Sequence, residues 1–190
     1  MLYHAPQVWA SDNTDPVDRL HIQMGLSLCY PILALGSHVS ANPRTGYAFK
    51  GDVALFGSFG YELDPLKLTD ADREVIKKQV AEFHRSYNTV HFGDQYRLIS
   101  PWESEDRVAM MTVSPEKDEA LVLVATLNKP HNQKFLLRLR GLLPEGRYFV
   151  EELGKTYSGR RLMEVGLNLT GVMPVRQSHE SLLLHLSLAN

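Results

Sequence analysis

Gln7-Val8-Trp9-Ala10-Ser11-Asp12-Asn13-Thr14-Asp15-Pro16 is the stretch on which the fold turns. An apolar approach ends abruptly in polar residues, two of them carboxylates, and Asp15-Pro16 then opens an amphipathic helix. Asp15 carries the short acceptor side chain that an N-cap needs, and Pro16 has no N–H to lose at the first helical position. Val17, Leu20, Met24 and Leu28 follow at helical spacing along one face, and Pro31 stops the run. Strand end, polar loop and helix start together make a βα unit. In a β/α barrel such loops lie on the face where catalysis occurs. A carboxylate there can serve as a general acid, which suits sugar chemistry.

The same grammar continues to about Tyr96. Ile32-Leu33-Ala34-Leu35-Gly36 is short and apolar enough for a buried strand. Asp52-Val53-Ala54-Leu55-Phe56-Gly57 predicts a short helix, and Phe59-Gly60-Tyr61-Glu62-Leu63-Asp64 a further strand and loop. Thr69 to Tyr87 predicts the longest helix: Thr69 caps it, Asp72 stands third, and Val75, Ile76, Val80 and Phe83 make a stripe. Alternation of this kind belongs to a parallel βα architecture.

From about Arg97 the pattern changes. Residues 108–113, 120–126, 135–139 and 181–186 are strand-length apolar runs separated by turn-rich pieces such as Ser114-Pro115-Glu116-Lys117-Asp118 and Pro144-Glu145-Gly146. Leu137-Arg138-Leu139-Arg140-Gly141-Leu142 alternates with the period of a half-buried strand. Short strands without intervening helices predict an antiparallel β-sandwich. The join falls near Ser100-Pro101-Trp102. The fold class is therefore α/β followed by all-β, divided as 1–100 and 101–190.

Composition narrows the function. The chain has 190 residues, 44% of them apolar and 22% charged, with a net charge of −2 and no basic run. That is ordinary soluble composition and carries no footprint of nucleic acid or anionic membrane. Cys29 is the single cysteine, so an internal disulfide is excluded and a reducing, cytoplasmic setting is expected. Residues 1–10 lack the basic start and apolar core of a signal peptide, and no run approaches the roughly 20 apolar residues of a membrane span. Asn168-Leu169-Thr170 matches a glycosylation sequon, which such a setting would leave unused. The histidines show no metal-ligand spacing, and neither a phosphate-binding glycine loop nor a G-x-S-x-G word is present. No metal and no cofactor are expected.

Several words now line up. Met1-Leu2-Tyr3, Pro6 to Asp15, Arg19-Leu20-His21-Ile22-Gln23, Gly36-Ser37-His38-Val39-Ser40, Gly51 to Gly57, Phe59 to Asp64 and Phe92-Gly93-Asp94-Gln95-Tyr96-Arg97-Leu98 resemble one segment of the bacterial α-galactosidases of glycoside hydrolase family 36, in the family's order. The resemblance covers essentially the whole chain and is strongest before residue 105. It implies a retaining glycosidase with a central (β/α)8 barrel followed by a small β-sandwich. This chain would be the last part of that barrel, from about its sixth strand, plus the sandwich. It also implies that the acid/base is the first Asp of the Ser-Asp-Asn-Thr-Asp word, Asp12. The family's nucleophile, an Asp in a Lys-Trp-Asp word on an earlier strand, has no counterpart here. The implied substrates are terminal α-galactosides of the melibiose or raffinose type, with transfer to another sugar as a related chemistry. A homo-oligomeric full-length enzyme is left open.

A retaining glycosidase needs two carboxyl groups about 5–5.5 Å apart. Asp12 supplies one of them. The chain therefore reads as a truncated piece of an enzyme, inactive by itself. The alternative is a non-catalytic polypeptide acting as a carbohydrate-binding or assembly module. Ser11, Trp9 and His38 are the candidate substrate contacts, each with a structural alternative: Trp9 as a core aromatic at a strand end, His38 as a hydrogen-bonded structural histidine. Asp15 reads as the helix cap, and Glu62 and Asp64 as a solvated or capping pair.

Overall fold

A computed structural model describes residues 3–129, 134–173 and 178–189; Met1 and Leu2 of the first word lie outside the described residues. The chain divides into two compact units, Met1–His91 and Phe92–Asn190.

In the first unit Asp15 Oδ1 accepts the N–H groups of Val17 and Asp18 and starts helix α1 (Pro16–Leu26). Val17, Leu20 and Met24 are buried, as their spacing predicts. The helix stops earlier than Pro31 suggests. Ser27 Oγ donates to the Met24 carbonyl at 2.7 Å and its N–H closes on Gln23, so Leu28 turns out to solvent. Ile32–Ala34 is a 3-10 turn and not the buried strand expected there. Pro31 directs its carbonyl to the Ala34 N–H, which tightens the chain, and extended pairing begins only at Leu35.

Leu35 bridges Val8 in parallel, and β1 (Val39–Ser40) pairs in parallel with β2 (Tyr61–Glu62) after α2 (Tyr47–Leu55). Parallel pairing with α1 and α2 as the connections is the βα arrangement the sequence predicts. Phe59, just before β2, sits at φ 49°, unusual for a residue with a side chain, and its ring stacks on Phe83.

Helix α3 (Asp70–Phe92) opens with the predicted cap, Thr69 Oγ1 accepting the Asp72 N–H while Asp72 Oδ2 accepts from Thr69. Of its expected stripe, Val75, Ile76 and Phe83 are partly buried, but the place of Val80 is taken by its neighbour. Gln79 is buried and Val80 is exposed, because Gln79 donates to the Tyr47 carbonyl at 2.6 Å and accepts from the Tyr61 hydroxyl at 3.0 Å. Those bonds offset the cost of an inward polar side chain. Burial pushes the Tyr61 hydroxyl up to about 12, so it remains a donor.

The second unit is antiparallel throughout. Its elements are β3 (Asp94–Ile99), β4 (Arg107–Val113), β5 (Glu119–Thr126), β6 (Leu136–Leu137), β7 (Arg147–Val150), β8 (Lys155–Ser158), α4 (Gly159–Glu164), β9 (Leu167–Asn168) and β10 (Ser181–Leu188). A six-stranded sheet runs β3-β4-β5-β10-β7-β8, and β6 pairs with β9 in a second, two-stranded ladder. Ala109, Met111, Val122, Val124, Leu184 and Tyr148 from the large sheet share a core with Leu137, Leu139, Leu162 and Leu167 from the second layer. This is the expected β-sandwich, with one layer thin and completed by α4.

β4 is buried at all seven positions, which is why Val108, Ala109, Met110 and Met111 run apolar without alternation. Phe135, Leu137 and Leu139 do alternate inward, yet only Leu136–Leu137 joins a ladder, because β9 is two residues long. β3 pairs along β4, so the compact units meet at His91 and Phe92, nine residues before the division at residue 100 read from the sequence. Gly141, at φ 77°, lies against the Tyr96 ring: a Cβ there would fall 2.4 Å from it. Among the described residues no helix is long and apolar enough to cross a membrane.

Candidate functional site

The polar word after Val8 is folded mostly for itself. Ser11 Oγ accepts the Asn13 N–H, Asn13 Oδ1 accepts the Asp15 N–H, and Asn13 Nδ2 donates to Asp18. Asp15 caps α1 with one oxygen and meets Arg44 at 3.0 Å with the other. Asp64 likewise caps the 3-10 turn that follows it by accepting the Leu66 N–H. Asx and Ser turns of this type are the local alternative to a ladder. Asp12 is left over. Among the described residues its carboxylate takes one side-chain hydrogen bond, from the Trp9 indole N–H at 2.8 Å.

Trp9 in turn lies flat on His38, with ring centroids 4.9 Å apart and planes 8° from parallel. Trp9 is 57% exposed, so it is not the core aromatic that a strand end usually carries. Gly36 makes room for this stack: a Cβ there would approach the Trp9 ring to 3.0 Å and the Val8 carbonyl to 3.2 Å. The structure therefore brings Trp9, Asp12 and His38 into one group across two neighbouring parallel segments. Ser11 stands beside them with its side-chain oxygen engaged in the turn.

His38 is buried, and its Nε2 lies 2.8 Å from Glu62 Oε2 without hydrogen-bond alignment. Its Nδ1 has no hydrogen-bond partner among the described residues. Burial pulls its pKa below the usual value; the exposed Glu62 opposes this and the Arg19 charge adds to it. His38 is thus neutral at pH 7. In the unfolded chain it takes up a proton near its ordinary pKa of 6.5, above the folded one. The unfolded state therefore binds more protons as pH falls below that value, and folding loses stability until the folded pKa is passed. Stability of the first unit to urea should weaken as pH falls through about 6.5, and His38→Gln should flatten that part of the profile. An unchanged slope in His38→Gln would show that another group carries it.

Sequence reading missed the support beneath this group. Arg19 and Gln23 are one helical turn apart on α1, 2% and 1% exposed, next to the apolar stripe. The available signal was two long polar side chains at i and i+4 flanking apolar residues, and it is indistinguishable locally from a solvated edge. Among the described residues no group of three or more His, Cys, Asp or Glu is gathered to hold a metal ion. The second unit carries a shallow groove of about 420 Å³ lined by Lys134, Phe135, Leu136, Asn168 and Thr170.

Comparison with known proteins bears on both units. The family model described as Melibiase matches residues 1–93, and that described as glycosyl hydrolase family 36 C-terminal domain matches residues 107–186. Alpha-galactosidase AgaA of Geobacillus stearothermophilus is 45% identical over 179 residues, covering 89% of this chain and 24% of that protein. The bifunctional alpha-galactosidase/sucrose kinase AgaSK of Mediterraneibacter gnavus is 41% identical over 176 residues, covering 89% of this chain and 19% of that protein. The solved galactosidase domain of AgaSK superposes with a TM-score of 0.93 at 38% identity, over all of this chain and 27% of its own. A variant of the Geobacillus AgaA solved in complex with raffinose superposes at 0.91 with 41% identity, over all of this chain and 27% of its own. The chain belongs to glycoside hydrolase family 36. It spans about a quarter of the length of these relatives, which are α-galactosidases.

Proposed function

We propose that this chain is the C-terminal part of a retaining α-galactosidase and that Asp12 is its general acid/base. Residues up to the end of α3 would be the last part of the (β/α)8 barrel, and the sheet that follows the sandwich beyond it. The observation that carries the reading is the place of Asp12. It stands at a strand end and accepts the N–H of a half-exposed indole that stacks on His38, whereas Asp15 is spent on the helix cap and Arg44. A general acid needs a carboxyl held beside the ground where substrate can come. Trp9 and His38 then form the wall on which a sugar rests, with Ser11 at its rim. Terminal α-galactosides of the raffinose type are the substrates, in line with relatives solved in complex with raffinose and with stachyose. The nucleophile comes from elsewhere, since the chain contains no Lys-Trp-Asp word.

The non-catalytic alternative has less behind it. The groove of the second unit offers one aromatic side chain, Phe135, and that ring is buried and unable to stack on a sugar.

The test is to join the upstream part of the Geobacillus AgaA to this chain and assay an aryl α-galactoside. The chimaera should turn over, with the product retaining its anomeric configuration, and the 190-residue chain alone should not. A folded but inactive chimaera would count against the reading, as would turnover by the unaided chain.

A further inference from the structure

Arg19 is an expensive residue for its place. The residue is 2% exposed, and among the described residues the hydrogen-bond partners of its guanidinium are all neutral. Burial pulls its pKa down, with no carboxylate acting against the shift. Burying a cation without an anion carries a high cost unless hydrogen bonds offset it. The bonds of the guanidinium are therefore what it brings to this place.

Its partners say what that is. Nη1 donates to the Ser11 carbonyl at 3.3 Å, and Nη2 donates to the Gly36 carbonyl. Nε points at Gln23 Oε1 at 3.4 Å. Gln23 extends the tie: its Oε1 accepts from Ser37 Oγ at 3.0 Å, and its Nε2 donates to the Val53 and Phe56 carbonyls at 2.9 Å each. One planar fork thus grips the ends of two adjacent parallel segments. The Ser11 carbonyl belongs to the peptide unit that leads into Asp12. The turns within the word hold the loop from the downstream side, through Asn13 and Asp15. Arg19 holds it from upstream.

We propose that Arg19 is a positioning residue that fixes the Ser11–Asp12 peptide, and through it the Asp12 carboxyl, against Trp9. The proposal rests on the reading of Asp12 as acid/base. Lysine cannot substitute, because a single ammonium on a flexible stem does not span two carbonyls held at the angle of a guanidinium fork.

The first measurement needs no activity. In the 190-residue chain the two tryptophans, Trp9 and Trp102, give separate indole N–H resonances, assigned with Trp9→Phe. Asp12→Ala defines where the Trp9 signal lies without its hydrogen bond. Arg19→Lys should move it most of the way there while Trp102 and the cooperative melt stay in place. Should Arg19→Lys unfold the chain, Arg19→Gln takes its place with the same expectation. The second measurement uses the AgaA chimaera. Arg19→Lys should lower kcat about ten- to a hundred-fold on a phenyl galactoside, as misplacement of a catalytic group by an ångström does. On a dinitrophenyl galactoside, whose leaving group needs no proton, the loss should be small, and KM should hardly move on either. An unmoved Trp9 resonance in a folded variant overturns the proposal, and so does a rate loss equal on both substrates. An inactive wild-type chimaera would strike the galactosidase reading instead, and the resonance would still report on the positioning.

Discussion

Asp12→Ala in the chimaera should lower turnover of natural α-galactosides by several orders of magnitude and leave substrate binding close to normal. General-acid assistance is worth about 10²–10⁴-fold, and in a retaining enzyme the same carboxyl also activates the water of the second step. The defect should therefore depend on the leaving group. With a dinitrophenyl galactoside the first step needs no proton, so the covalent intermediate forms and accumulates as a burst. Azide, small enough for the space left by the carboxyl, should then restore turnover and yield a galactosyl azide with the anomeric configuration of the substrate. Asp12→Asn should behave similarly but with weaker azide rescue, because the amide still fills the space. Near-wild-type rates on raffinose in Asp12→Ala would remove Asp12 from the mechanism. An azide product of inverted configuration would place Asp12 on the nucleophile's side and remove it as acid/base.

The largest effect on stability is expected at Tyr148. Its ring is fully buried in the core of the second unit, and its hydroxyl accepts the Leu143 N–H at 3.0 Å and donates to the Lys117 carbonyl at 2.6 Å. Burial raises its pKa, the Leu143 N–H opposes the shift and the nearby Asp118 adds to it, so the hydroxyl stays protonated and remains a donor at neutral pH. Truncation to Ala removes the ring and leaves a cavity, which costs about 3–5 kcal/mol for an aromatic core residue. Tyr148→Phe keeps the ring and deprives two backbone groups of their partner, at about 1–3 kcal/mol. Hydrogen exchange across β4, β5 and β10 measures both. The Ala variant should speed exchange by far more than the Phe variant. Equal effects would mean that the ring contributes little and the hydroxyl carries the anchoring.

Wherever a signal acts within a few residues, the sequence was legible. Asp15-Pro16 and the Thr69–Asp72 pair announce their helices, because a cap and its target N–H groups lie within one turn. The strands at 108–113, 120–126 and 181–186 were visible because a buried strand reads as a short apolar run between turn residues. Reading failed where a distant partner reverses a local preference. Gln79 faces inward and Val80 outward because Tyr47 and Tyr61, far along the chain, supply the bonds. Ile32–Ala34 has the composition of a strand, yet it winds as a 3-10 turn ahead of the pairing at Leu35. β7 and β8 escaped because they are four residues each and their pairing partners, not their composition, define them.

The site divides in the same way. The sequence by itself determined the family words and the βα order, and the family resemblance pointed to Asp12 within a loop rich in acids. Only the tertiary structure decided which polar groups of that loop are spent on turns, that Trp9 lies on His38 while donating to Asp12, and that Arg19 grips two strand ends beneath them. Caps and periodicities are set by neighbours a turn apart and are written locally. The stacking of two rings and the bonds of a buried cation depend on groups brought together from separate segments, and those are fixed only when the segments pack.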